Sequence, residues 1–357
     1  MQVCASSLVL FILAANESLA VPLAYISNYQ ASNVSVIDTS VNQVVATILV
    51  GGQPYGVAAS DDGRRVYVTS TFENSVWVID RTTNTVNAVI PVGVTPLGVA
   101  VDRTGGFAYV ANDFSSTVSV IDTRLNSVVA TIPVPLGPMG VAVNPAGGLV
   151  YVTCFNGATG AVAVIDPNSN SVLTTVPVGI VPQGIALNPS GTRAYVANIG
   201  SVSVISLATN TVIATVPFGS NNLVGIAINP AGTFAYVAAG SNVGVIDLST
   251  NTITNTIVLN RAPFGIAVHP DGNSIYVADH GDSAVVVISA ITNAVLAIIP
   301  VGPTATGFGM FIAPDIAPSQ TVATPVPTSS EGAVVAGAIA LAIVGGWFLR
   351  RRRGVGT

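Results

Sequence analysis

The chain contains no lysine: its eleven basic residues are all arginine, and four of them form the run 350–353 near the C-terminus. Without that run and the first twenty residues, seven arginines face fifteen carboxylates, a net charge of −8. An acidic body without basic clusters has nothing to gather nucleic-acid phosphates, so nucleic acid is not an expected partner. Charge of either sign is scarce, at 8% of residues, while half the chain is hydrophobic and mean hydropathy is +0.68. Such a composition fits either many membrane spans or sheets covered on both faces. Between residues 21 and 313 the apolar residues come in runs of four to seven, broken by Gly, Pro, Asn, Asp and Ser. None approaches the roughly eighteen needed to cross a bilayer as a helix. Sheets are the expectation.

Reactive side chains are equally sparse. Of two cysteines, Cys4 lies in the first twenty residues, which leaves Cys154 without a partner for an internal disulfide. No basic residue is close to it in sequence, so it reads as a small buried hydrophobe. The chain has two histidines, and His269 belongs to a turn-like "HPDG". There is no phosphate-cradling glycine loop ahead of a helix, no Cys/His metal spacing and no serine-nucleophile elbow. No cofactor and no metal are expected from motifs.

The two ends read as addresses. Residues 5–15 are an apolar stretch of signal-peptide length, and "SLA" at 18–20 offers a small-x-small cleavage pattern, giving a leader over 1–20. Residues 315–332 are rich in Pro, Ser and Thr and read as an extended linker. Residues 333–349 are 17 uncharged positions, about 26 Å as a helix and long enough for a short transmembrane span. The arginine-rich 350–357 would stay cytoplasmic, leaving the body outside.

Between the ends, one unit recurs. Tyrosines at 25, 67, 109, 151, 195, 236 and 276 are spaced by 42, 42, 42, 44, 41 and 40 residues. A period of about forty built from short β-rich runs predicts propeller blades. Each unit also carries Asp or Ser four residues before Asn, from Asp38–Asn42 to Ser289–Asn293. Asp and Ser oxygens accept turn amides and Asn tolerates a left-handed backbone, so this is hairpin chemistry. The expected architecture over 21–314 is all-β: seven blades of four antiparallel strands. One inner-type run, 309–313, is spare at the end, and the first unit lacks one. Pairing 309–313 with 23–27 would close the ring and remove two exposed sheet edges.

The repeats "YVTS" (67–70), "YVTC" (151–154) and "YVAN" (109–112 and 195–198), each followed by "SVID"-like and "VVATIPVG"-like runs, resemble the YVTN family of β-propeller repeats. The resemblance covers about 21–314. It implies a propeller of the kind found in archaeal surface-layer and secreted bacterial proteins, with no catalytic assignment attached to the motif. The spacer, short apolar helix and terminal arginines resemble the C-terminal sorting tails of prokaryotic surface proteins. Trp-Asp repeats are absent, and so are the Trp-rich repeats of quinone-dependent propellers, since the chain has only Trp77 and Trp347.

Alternating strands place the loops entering each inner strand on the same face as the hairpins between second and third strands. Residues preceding the inner-strand glycines are expected to ring the channel mouth there: Tyr55, Leu97, Met139, Gln183, Val224, Phe264 and Phe308. They differ from blade to blade while their surroundings repeat. The hairpins add Asn28, Tyr29, Gln30, Phe72, Glu73, Asp113, Phe114, Phe155 and Asn156. The one concentration of titratable groups is Asp279, His280 and Asp282 with Arg261 in the adjoining connection. Asn33-Val34-Ser35 matches a glycosylation triplet. The expected function is a non-enzymatic, membrane-tethered surface propeller that binds a protein or glycan or builds an envelope layer. The alternative is a hydrolase or lyase resembling propeller lactonases, with a divalent cation in the channel. That reading needs several inward acidic, Asn or His donors.

Overall fold

Each repeat alternates hydrophobic strands with Asn- and Gly-bearing turns, and a computed structural model describes the result over residues 21–220 and 222–314. The expected leader (1–20), linker (315–332), membrane helix (333–349) and arginine tail (350–357) lie outside the described residues. The strands form seven four-stranded antiparallel sheets, and the chain is a seven-bladed β-propeller. Blade 2 shows the pattern: inner strand Pro54–Ala59, second Arg65–Ser70, third Ser75–Asp80 and outer Thr85–Pro91. Blades 3 to 7 follow at 96–133, 138–178, 185–217, 223–258 and 263–300. Blade 1 comprises Leu23–Asn28, Asn33–Asp38 and Gln43–Leu49, with Ile312–Ala313 as its inner strand.

The middle strands are buried on both faces because a neighbouring blade packs on each. This explains a hydropathy that is high for a chain of short strands. The repeated tyrosines are the largest buried side chains, and several reach out of their own blade. The Tyr25 hydroxyl donates to Asn84 Oδ1 of blade 2 at 3.0 Å, Tyr195 to Asn251 of blade 6 at 3.3 Å, and Tyr276 to Asn42 of blade 1 at 2.7 Å. Those acceptors belong to the Asp-to-Asn hairpins, where all seven asparagines have φ between 50° and 58°. The residue that permits the tight turn is thus also the one that the tyrosine of the preceding blade ties down. Outer strands carry no charged residue, and each is offset by a bulge against the third strand, as at Val78/Ile79. The bulge twists the open edge and discourages strand addition.

The last inner strand has a register that the repeat pattern did not anticipate. Leu23 and Ala24 pair with Ala313 and Ile312, and the Tyr25 amide donates to Phe311 O at 2.8 Å. Asn28 bridges Ala305, the place that Pro54 and Pro96 hold opposite Ser70 and Asn112. Thr306 and Gly307 therefore occupy the positions expected for Phe308 and Gly309, and two residues are inserted before Phe311. The extra length turns inward: Phe308 and Met310 carbonyls accept the amides of Val57 and Ala59, so 308–310 runs parallel to the inner strand of blade 2. Gly309 has φ +111°, and a Cβ there would lie 2.6 Å from Val57 O, so only glycine fits this bend. The run 309–313 is not one continuous partner for 23–27, as its glycine spacing suggested.

Both ends of the described chain meet on the lower face, at a buried arginine. The Arg81 guanidinium donates to the carbonyls of Gly63, Val21 and Pro314. Blade 2 thereby grips the segments that enter and leave the ring.

The hairpin aspartates set a pH dependence. Hydroxyls of Ser40, Thr82 and Ser249 hold Asp38, Asp80 and Asp247 below the usual carboxylate range, and amides of Leu125 and Asn168 do so for Asp122 and Asp166. Their folded pKa values lie under the unfolded one, so the unfolded chain binds more protons in this window. The stability they contribute is complete above about pH 3.9 and is lost as pH falls through the folded values. The aspartates' contribution to the urea midpoint should be constant above about pH 5 and be lost below pH 4. Asp80→Asn and Asp247→Asn should each shallow that loss, and an unchanged acid slope in both would contradict the assignment.

Candidate functional site

The upper face is built by zipping loops in pairs. In every blade the second-to-third hairpin bonds to the connection entering the same blade. Tyr29 N donates to Thr304 O at 3.0 Å, Thr71 N to Gln53 O at 3.2 Å, Asp113 N to Thr95 O at 2.9 Å and His280 N to Ala262 O at 2.9 Å. Several connections carry a non-glycine residue in the left-handed region: Gln53 (φ 56°), Thr95 (56°), Val181 (49°) and Thr304 (60°). Left-handed backbone costs such residues of order 1–3 kcal/mol each, and the flanking hydrogen bonds hold it. The rim is therefore tied together by backbone hydrogen bonds.

Below the rim, the inner-strand glycines let blades approach at the channel neck. The amide of Gly56 donates to Thr69 Oγ1 at 2.8 Å, and that hydroxyl donates on to Leu97 O of blade 3 at 2.7 Å. Thr153 links Gly140 to Gln183 O in the same way, and Ser27 links Gly307 to Tyr55 O. The residues expected at the mouth thus have their carbonyls in the neck. Leu97, Val224 and Phe308 are buried, while Tyr55, Met139, Gln183 and Phe264 are half-buried.

Three of these side chains form an aromatic plug on one side of the channel. Tyr55 meets Phe264 edge-on at 5.7 Å and Phe308 at 5.5 Å, and Phe264 lies 6.3 Å from Phe308. Tyr29 joins from the hairpin of blade 1, 6.5 Å from Tyr55. Phe308 reaches this plug although it is two residues out of the repeat's register, because the inserted segment leans into the channel.

The titratable group at 261 and 279–282 separates into two parts. Arg261 Nη1 lies 2.7 Å from Asp279 and 2.8 Å from Asp282, and Asp279 also accepts the amides of Ala262 and Gly281. Asp279 is buried and organises the loop rather than facing the channel. His280 instead stacks on Phe264 at 5.2 Å, and the loss of water there lowers its pKa. Asp113 is half-buried, which raises its carboxyl. Among the described residues no three His, Cys, Asp or Glu side chains converge as a metal site would require. Cys154 is buried, and burial pushes its thiol up to about 12. Asn33 lies in a strand and its Oδ1 accepts Asn28 Nδ2 at 2.7 Å.

Two adjoining clefts open on the upper face. One, of about 520 Å³, lies between the hairpins of blades 1 and 2, lined by Tyr29, Gln30, Gln53, Phe72 and Glu73 among others. The other, of about 350 Å³, continues toward blade 3 and includes Tyr55, Thr71, Asn74, Thr95 and Leu97. Tyr29, Gln53 and Phe72 belong to both. Gln53, Thr71, Asn74 and Thr95 were not singled out from sequence. Gln53 and Thr95 each precede the inner-strand proline and vary between blades, which was the available signal.

No protein-family description and no curated protein sequence matches the chain. Solved structures do. Hydrazine synthase of Kuenenia stuttgartiensis superposes with a TM-score of 0.69 at 21% identity, over 79% of this chain and 99% of that one. A functionally unknown protein from Desulfotomaculum acetoxidans gives 0.69 at 18% identity, over 80% and 99%. The dihydro-heme d1 dehydrogenase NirN in complex with DHE gives 0.58 at 16% identity, over 80% and 74%. At such identities the likeness shows the propeller fold.

Proposed function

We propose that this chain is a YVTN-type propeller, exported and tethered to the membrane by its C-terminal tail, that recognises a partner at the cell surface through its upper face without catalysing a reaction. The ring is held shut by the pairing of its two ends. The observation that carries the reading is a contrast within the repeats. Buried tyrosines, turn asparagines and inner glycines recur around the ring, whereas side chains at the upper rim change from blade to blade. Function on such scaffolds lives in the loops. Pro314 leaves from the lower face, beside Arg81.

Two of the similar propellers belong to enzymes, so architecture does not choose between binding and catalysis. Side chains favour binding: the described mouth residues are mainly aromatic and aliphatic, and Arg261 already neutralises the acidic pair. Fractionating cells that express the full chain, or a chain ending at Ser329, tests the tether. The full chain should sediment with the envelope and the shortened one should appear in the medium. A photo-cross-linking residue at position 114 should capture a partner on intact cells, and one at position 291 on the lower face should not. Capture from 291 alone would reverse the assignment of faces. Stoichiometric divalent cation in the purified protein, lost on Asp113→Asn, would instead support the hydrolase.

A further inference from the structure

We propose that the paired clefts between blades 1, 2 and 3 form a binding site for a neutral saccharide, with sugar rings seated on Phe72 and Tyr29. The proposal rests on the upper-face reading and specifies its ligand. Phe72 is 73% exposed at the tip of its hairpin and borders both clefts. Its ring lies over Gly52, where an added Cβ would come within 3.3–3.6 Å of Phe72 atoms. Backbone thus supports one side of the ring and the rest faces solvent, the arrangement of a stacking platform. Tyr29 walls both clefts and is braced against Tyr55.

Around these rings the lining mixes neutral polar groups, Gln30, Gln53, Thr71, Asn74 and Thr95, with the aliphatic Val50, Val94 and Leu97. The Thr71 hydroxyl donates to Gln53 Oε1 at 3.2 Å, and the Gln53 carbonyl is held by the Thr71 amide. These donors and acceptors are fixed before any ligand arrives, which lowers the ordering cost of binding. No arginine lines either cleft, so an anionic ligand finds no counter-charge. Glu73 is the one charged lining residue, and its carboxylate is turned onto the Gly52 amide at 3.4 Å. A wholly apolar ligand would strip water from the amides and hydroxyls without replacing their hydrogen bonds. The chemistry that satisfies both halves of the lining is a ring with an apolar CH face and neutral hydroxyls at its edge.

The test uses the full chain, purified in detergent, on an array of neutral and acidic oligosaccharides. Binding to neutral oligosaccharides is expected. It should weaken at least tenfold in Phe72→Ala and in Tyr29→Ala, survive in Phe72→Trp, and be unchanged by Ile291→Ala on the lower face. If Tyr29→Ala melts early, Phe72→Ala decides alone, since its side chain is outside the core. No neutral glycan bound, binding of acidic glycans only, or binding indifferent to Phe72→Ala would overturn the proposal. A blank array with a protein captured from position 114 overturns the saccharide but leaves the upper-face reading standing. A blank array with no capture removes both.

Discussion

A single methyl group added at Gly98 or Gly140 is expected to destabilise the ring by about 1–3 kcal/mol or more. These glycines sit in inner strands where a Cβ would fall on the carbonyl oxygen of the next blade, Met139 O and Gln183 O respectively. Gly56, Gly184, Gly225 and Gly265 face the following blade in the same way. Neither party to the clash is a flexible side chain, so relief requires one blade to move away from its neighbour. Around a ring, widening one gap strains every other. Gly219 is the control, because nothing lies within 4 Å of its Cβ position and its φ is unexceptional. Unfolding free energies from urea titration should fall clearly for Gly98→Ala and Gly140→Ala and change by no more than about 0.5 kcal/mol for Gly219→Ala. Equal effects at the three sites would mean that the inner strands are not in contact.

Phe311→Ala should cost about 3–5 kcal/mol, the usual range for emptying an aromatic site in a core. Phe311 is fully buried in a cluster shared by blades 1, 2 and 7, and its ring fills the space that Gly307 leaves beside Ala278. For a ring of this length such a loss corresponds to a fall in Tm of about 5–8 °C. A large effect distinguishes a strand built into the core from one that adds little to it. A loss below about 1 kcal/mol would show that 311–313 contributes little to holding the ring.

The architecture was legible because the same physics is written seven times. Tyrosine at a fixed interval marks a buried strand, and Asp followed four residues later by Asn marks a hairpin, whose asparagines do adopt the left-handed backbone. Where the repeat deviates, the pattern misled. "GFGMF" offers two glycines, and the repeat pattern favours Gly309, whereas hydrogen bonding gives the repeat position to Gly307. Nothing local in the sequence separates the two; the choice is made by Asn28 and Ser27 on a strand some 280 residues away. The candidate site was legible only as a ring of variable positions. Asp279, His280 and Asp282 looked like one reactive group because they are neighbours in sequence. Strand geometry sends Asp279 inward to Arg261 and His280 onto Phe264. The clefts depend on how hairpins of different blades lean together, which repeat spacing does not encode.

A cysteine pair at Ala24 and Ile312 tests the closure of the ring most directly. The two residues are paired across the joint between the first strand and the last. Cys154, the other cysteine of the described residues, is buried with its thiol raised to about 12, so it will not compete. On mild oxidation Ala24→Cys/Ile312→Cys should form an intramolecular disulfide and gain about 2–4 kcal/mol over its reduced form. Two free thiols in the folded protein, or disulfide-linked dimers with no gain in stability, would show that residues 24 and 312 do not meet and would contradict the proposed closure.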